Sequence, residues 1–378
     1  MLLELAPRYA ATVMPGYTHG QHAQPTTFGH WLTLWASVFE RDAARLADTF
    51  DRVNASPAGA AIMTGTGFAI DRRRTAELLG FTSVLPHTFD AIQSHDAECL
   101  EFSAVLGILT ADMARLADDL QLWLTAEFAF LDVPDRYCGT SSIMMQKRNT
   151  SYLAEEIKAL NAAAFGGMAT SFTAERGATG QPTLERRTAD RGLWANAANA
   201  ARLLGVLARF LADVQVDEQR MRAAAGAHWA QATDVAAALV DELRLPWRSA
   251  HQIVGILVRT CESAGVDPSR ATVRMLDDAA VAYFDRPVGL DPEVLRRALD
   301  PAEFVRRRET LGGPGPAAFA HTLEGLRQRR VADGDRLRGD ADVVAAGAAE
   351  LERAIDRLLG CEHSDTGHTG RSTGATSA

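Results

Sequence analysis

A net charge of −9 spread over 378 residues argues against a general polyanion binder, because the plentiful arginines are interleaved with acids rather than gathered in one stripe. The composition is 47% apolar and 7% aromatic, rich in Ala and Leu, which favours helix over sheet, and the length suffices for two domains and a substantial core. No apolar run reaches membrane-spanning length, no secretory signal pattern opens the chain, and Cys99, Cys138, Cys261 and Cys361 lack metal-ligand spacing, so a cytoplasmic protein without bound metal is expected.

In chain order, the first clear period runs from Trp31 to Val53. Leu32, Leu34, Trp35, Val38, Phe39, Leu46 and Phe50 recur at spacings of three and four, while Glu40, Arg41, Asp42, Arg45 and Asp48 fill the other face. That pattern predicts a long amphipathic helix. Pro57 and Gly59 break the chain after it. A second helix is predicted from His95 to Phe130, apolar on more than one face as inside a bundle. Two more follow, from about Ser151 to Ala174 and from about Leu193 to Asp213. Strand-like alternation is scarce.

After about Gln219 the helices become shorter, punctuated by Pro246, Pro268, Pro287, Pro292 and Pro301. The expected division is a helical bundle over 1–219, a smaller helical domain over 220–361 and a disordered tail over 362–378. Gly312 to Pro316 is a loop before one last helix. The tail is Ser, Thr, Gly and His, too polar to offset its ordering entropy.

The stretch from Gly139 to Asn149 carries the strongest chemical signal. It places Ser141, Ser142, Lys147 and Asn149 close together with almost no acid nearby. Lys147 and Lys158 are the chain's only lysines. A chain so committed to arginine that keeps Lys147 has use for a compact ammonium there. Serines beside such a cation suit an anion, or charge that develops during a reaction. A polar loop with one solvated lysine is the competing interpretation, and local residues alone leave both open.

The same stretch resembles the GSSxMPxKxNP signature of the fumarase/aspartase superfamily, most closely its argininosuccinate lyase branch. Met14 to His30 is similar to that branch's MPGYTHLQxAQPxTFGH block. Arg52 to Ala60, Gly65 to Phe68 and Ile70 to Arg72 match a third block, and Ala232-Thr233-Asp234 and Ala250 to Gly255 match two more, all in family order. The resemblance implies an all-α fold with a central long-helix bundle, assembly as a homotetramer, and no cofactor. It also implies β-elimination of fumarate from an N-succinyl or dicarboxylate substrate, as in arginine biosynthesis.

Carried over residue by residue, Ser141 matches the base serine on a mobile loop. Lys147 and Asn149 match the groups that hold and polarise the substrate carboxylate. His19 would protonate the leaving nitrogen, or orient the group that does. Thr18, Gln24 and Ser142 would hydrogen-bond the substrate. His22 and His30 are expected to be ordinary structural histidines. His95 stands where the family has arginine and is given no role.

Departures from the pattern point to an altered substrate. Gly139 and Thr140 are exchanged relative to the family, Met145 and Thr150 replace prolines, and Arg148 replaces a lysine. The stretch from Gln181 to Asp190 lacks the tyrosine, glutamine and lysine of the branch. The family's N-terminal segment has no counterpart in the chain, so a site open on one side and slow turnover are expected. Besides the argininosuccinate lyase type, two alternatives stand: an impaired or structural paralogue, and a lyase acting on aminopolycarboxylates such as ethylenediamine disuccinate.

Overall fold

A computed structural model of the chain describes residues 1–93, 96–176 and 183–360. The chain opens with α1 (Leu2–Leu5) and a 3-10 turn, then forms a hairpin from β1 (Val13–Thr18) and β2 (Gln21–Thr27). The alternation-poor sequence gave no sign of it. Pro15 and Pro25 face each other across the ladder, and proline in a strand ordinarily argues against one. The two-residue turn explains how it closes: His19 at φ 54 and Gly20 at φ 71 are both left-handed, as a type I′ turn requires. A bulge between Pro15 and Tyr17 brings the strands so close that a Cβ on Gly16 would lie 2.7 Å from the Gln24 carbonyl oxygen.

α2 (Phe28–Val53) follows without a break. It starts three residues before the apolar period because Thr27 caps it, its Oγ1 accepting from the His30 amide at 3.0 Å. Beyond it lie β3 (Ala55–Ser56), α3 (Arg72–Leu78), β4 (Ser83–Val84) and α4 (Thr88–Gln93). α5 (Phe102–Trp123) is shorter than the sequence suggests. A π-helical turn over Asp96–Glu101 precedes it, and at its end Ala129 turns left-handed so that the Phe130 amide bonds back to the Trp123 carbonyl.

β5 (Leu131–Asp132), β6 (Gly139–Thr140) and β7 (Arg148–Asn149) lead to α6 (Tyr152–Ala174) and α7 (Thr183–Asp213). β8 (Gln215–Val216) then pairs with β5. Next come α8 (Glu218–Ala225), α9 (Ala232–Leu243), α10 (Trp247–Ser263), α11 (Val273–Phe284), α12 (Pro292–Ala298), α13 (Pro301–Arg306) and α14 (Pro316–Leu359). The architecture is all-α, with the long helices α2, α5, α6 and α7 at its centre.

The chain divides into two compact units: Met1–Ala47 with Glu98–Ala332, and Asp48–Ala97 with the chain from Asp333. The first unit holds both main apolar cores. One gathers Phe28, Trp31, Met113, Leu116, Ile157, Leu203, Phe210 and Met221 from the long helices and α8. Phe28 stacks on Trp31 at 5.3 Å, and Trp31 meets Trp123 at 4.8 Å. The other core is separate and built by α9 to α12 around Val235, Leu239, Ile253, Leu257, Leu276 and Leu295. In the second unit α3 docks on α14, where a Cβ on Gly347 would come within 2.6 Å of the Gly80 amide. The polar tail lies outside the described residues, as does His95.

Candidate active site

The hairpin β1–β2 rests on α8 and α13 and lifts its turn clear of the core. Thr18, His19 and Gly20 are exposed, and no side-chain hydrogen bond engages Thr18 or His19 among the described residues. Both side chains therefore remain available to a ligand. Lower on the hairpin, Gln24 Nε2 donates to Thr233 Oγ1 at 3.3 Å. The His22 ring lies between Tyr17, at 5.2 Å, and His228, at 4.6 Å. Burial, reinforced by the facing His228, holds His22 below the ordinary histidine range, and burial pushes the Tyr17 hydroxyl up.

The second group of expected residues occupies the loop between β6 and β7. Its base is firmly held. Arg148 places its Nε 2.8 Å from Asp135, its Nη1 3.0 Å from Asp132 and its Nη2 2.5 Å from the Val133 carbonyl. Thr150 Oγ1 donates to the Leu124 carbonyl, and Asn149 Oδ1 accepts from the Ser151 amide at 3.1 Å. Above that base the loop stands out: Ile143 is 82% and Met145 96% exposed.

Within the loop, Ser141 Oγ accepts from the amides of Ile143, at 3.3 Å, and Met144, at 3.0 Å. Two N–H donors aimed at a hydroxyl oxygen favour its negatively charged form. Lys147 is tied only through its backbone, its amide donating to the Met144 carbonyl. Its ammonium makes no ion pair among the described residues, whereas its neighbour Arg148 is fully engaged. Ser142 is exposed, and Asn149 Nδ2 reaches Glu155 at 3.5 Å. The chain thus presents two loops, one bearing the exposed Thr18 and His19, the other the exposed Ser142 and Lys147 with the half-buried Ser141 and Asn149. Among the described residues no hydrogen bond or ion pair joins them. The Tyr17–Phe128 ring contact, at 5.9 Å, links the hairpin to the segment after α5. No group of three or more His, Cys, Asp or Glu able to hold a metal occurs among the described residues.

A family model described as Lyase matches residues 1–164, and one described as Argininosuccinate lyase C-terminal matches residues 229–306. The argininosuccinate lyase of Methanothermobacter thermautotrophicus is 36% identical over 324 residues, covering 86% of this chain and 69% of the relative. The chain belongs to the argininosuccinate lyase branch of the fumarase/aspartase superfamily.

That branch comprises carbon–nitrogen lyases that eliminate fumarate. The argininosuccinate lyase of Methanoculleus marisnigri is 37% identical over 326 residues, covering 86% of this chain and 65% of the relative. The chain thus spans roughly two thirds of the length of these relatives. Among solved structures, an EDDS lyase in complex with formate superposes with a TM-score of 0.86 at 26% identity, over 95% of this chain and 71% of that one. The 3-carboxy-cis,cis-muconate lactonizing enzyme from Pseudomonas putida shares the fold alone, at a TM-score of 0.66 and 21% identity, over 87% of this chain and 70% of that one.

Three features in and around the candidate site escaped the sequence. Arg148 is a clamp under the serine loop rather than a simple replacement. His22 contacts a second histidine. Asp234, in the Ala-Thr-Asp block, is buried and paired with Arg308 through both carboxylate oxygens. No local pattern announces any of them, since each partner lies at least 13 residues away. The Gln181 to Asp190 stretch begins outside the described residues.

Proposed function

We propose that this lyase releases fumarate from an N-succinyl amine, with argininosuccinate or an aminopolycarboxylate of the EDDS type as substrate. Ser141 takes the proton from the succinyl carbon next to a carboxylate. The electron pair left behind delocalises into that carboxylate, which Lys147 and Asn149 hold and polarise. The carbon–nitrogen bond then breaks, and the proton needed by the leaving nitrogen comes from His19 or from a group His19 orients. Thr18, Gln24 and Ser142 hydrogen-bond the substrate. The proton is weakly acidic, so the reaction depends on charge stabilisation prepared in advance.

The observation that carries this proposal is Ser141 Oγ under two backbone donors, on a fixed-base loop with the unpaired Lys147 beside it. The curated relatives favour argininosuccinate, which would place the enzyme in arginine biosynthesis. The structural likeness to an EDDS lyase favours the second substrate. Fumarate release, followed by its ultraviolet absorbance with each compound in turn, decides between them. Release from one compound, lost in Ser141→Ala, is the expected result. No release from any N-succinyl amine would overturn the proposal and favour a structural paralogue.

In this proposal residues 1–219 form the catalytic bundle and 220–361 a smaller helical domain; the separate second core, from Trp229 to Ala298, supports a distinct helical body within the latter. Exposed apolar side chains on α6 and α7 support assembly as a homotetramer. The free thiols at Cys138 and Cys261 suit the cytoplasm.

A further inference from the structure

The segment after α8 contains two left-handed residues in succession, His228 at φ 53 and Trp229 at φ 57. An L side chain is sterically disfavoured there, and such backbone persists only where packing fixes it. Trp229 supplies the packing: it is buried among the apolar residues of the second core. His228 is exposed, and its ring meets the His22 ring at 4.6 Å and 65°. His22 is the cross-strand partner of Tyr17, one pair below Thr18 and Gln21, which flank the His19–Gly20 turn. Its Nδ1 is buried without a hydrogen-bond partner among the described residues. A buried ring nitrogen left unpaired is disfavoured, so the ring is held by its hydrogen bond to the Ala224 backbone and by the rings packed against it. The Gln24–Thr233 bond lies alongside and joins the same two segments.

We propose that His228 is a positioning residue: carried on a left-handed turn that Trp229 anchors in the second core, its ring clamps His22 and thereby sets where the Thr18–His19 turn stands. The consequence for catalysis rests on the role proposed above for His19. The clamp itself does not.

Hydrogen–deuterium exchange on the full chain reads the clamp without substrate. In His228→Ala and His228→Gly, amides from Thr18 to His22 exchange several-fold faster while those of α5 and α6 keep the parent rates. His228→Phe, which retains a flat ring, restores parent exchange. The glycine variant also frees the backbone from an unfavourable side chain, so its thermal midpoint does not fall, which separates a lost clamp from a lost fold. In fumarate release, the alanine and glycine variants lose roughly a hundredfold in kcat with a smaller change in KM, as displacement of a catalytic group by about an ångström does. The phenylalanine variant recovers most of that loss. Unchanged exchange over Thr18–His22 in both the alanine and glycine variants overturns the proposal whatever the activity. Faster exchange with unchanged kcat keeps the clamp and overturns its consequence for catalysis. A parent that releases no fumarate contradicts the role of His19 instead, and the exchange data still decide whether the clamp exists.

Discussion

Lys147 and Arg148 are adjacent cations with opposite tasks. Arg148 spends its guanidinium on two carboxylates and a carbonyl, while Lys147 is left free above it. Arg148→Lys keeps the charge but loses the planar fork that reaches three acceptors, so the loop base loosens. Fumarate release should fall in that variant and the Ser141 loop should become more protease-sensitive; an unchanged rate would show that the clamp is not needed. Lys147→Arg should lose roughly 10² to 10³ in rate, because a larger, planar group cannot place a point charge where the ammonium stood. Normal turnover in Lys147→Arg would remove Lys147 from the carboxylate site. Ser141, Lys147, Asn149, Thr18 and His19 could be named as candidates because each belongs to a short contiguous motif. Arg148 and His22 were not, since what they do depends on partners far off in the chain.

Among the elements, the long helices could be read because their apolar period is repeated many times, and α6 was placed almost to the residue. The hairpin could not. Its prolines mimic a loop, and its ladder depends on the His19–Gly20 turn and on the missing side chain at Gly16. Gly16→Ala should therefore disrupt the hairpin, since the Gln24 carbonyl leaves no room for a methyl group. Hydrogen exchange across residues 13–27 checks this, and parent-like protection would contradict it. The junction of α3 with α14 gives a pH prediction. Glu350 accepts from Arg74 at 2.5 Å, Arg357 at 2.8 Å and Arg353 at 3.0 Å. Those hydrogen bonds, Arg74 first, draw its carboxyl down from 4.5 to about 2. A depressed carboxyl stabilises the fold fully above its ordinary pKa and loses that contribution as pH falls through the folded value. Exchange protection of α3 should thus weaken from pH 4.5 down to about 2, and Glu350→Gln should be less protected above that window and converge with the parent within it. A constant difference between the two at every pH would assign the effect to packing instead.

At the scale of the whole molecule, the bundle leaves apolar surface that the single chain does not cover. Phe165 and Phe172 on α6 are 61% and 54% exposed, and Trp194 on α7 is 57% exposed. Scattered apolar side chains are ordinary on any surface, but large ones repeated along neighbouring helices make this face a candidate for a contact between chains. Several exposed residues near them on α6 are small, Ala162, Ala163, Gly166 and Ala169, so another helix can approach closely. Sedimentation should therefore find the parent as a multimer, of four chains if the superfamily resemblance extends to assembly. Phe165→Glu with Trp194→Glu would bury two charges in that contact, and the doubly substituted protein should sediment as a smaller species with its helical circular dichroism intact. If the hairpin and the serine loop meet only between chains, fumarate release should disappear together with the assembly. A dissociated variant that kept full turnover would show that one chain holds a complete site. A parent that sediments as a monomer would show that this face serves some other contact.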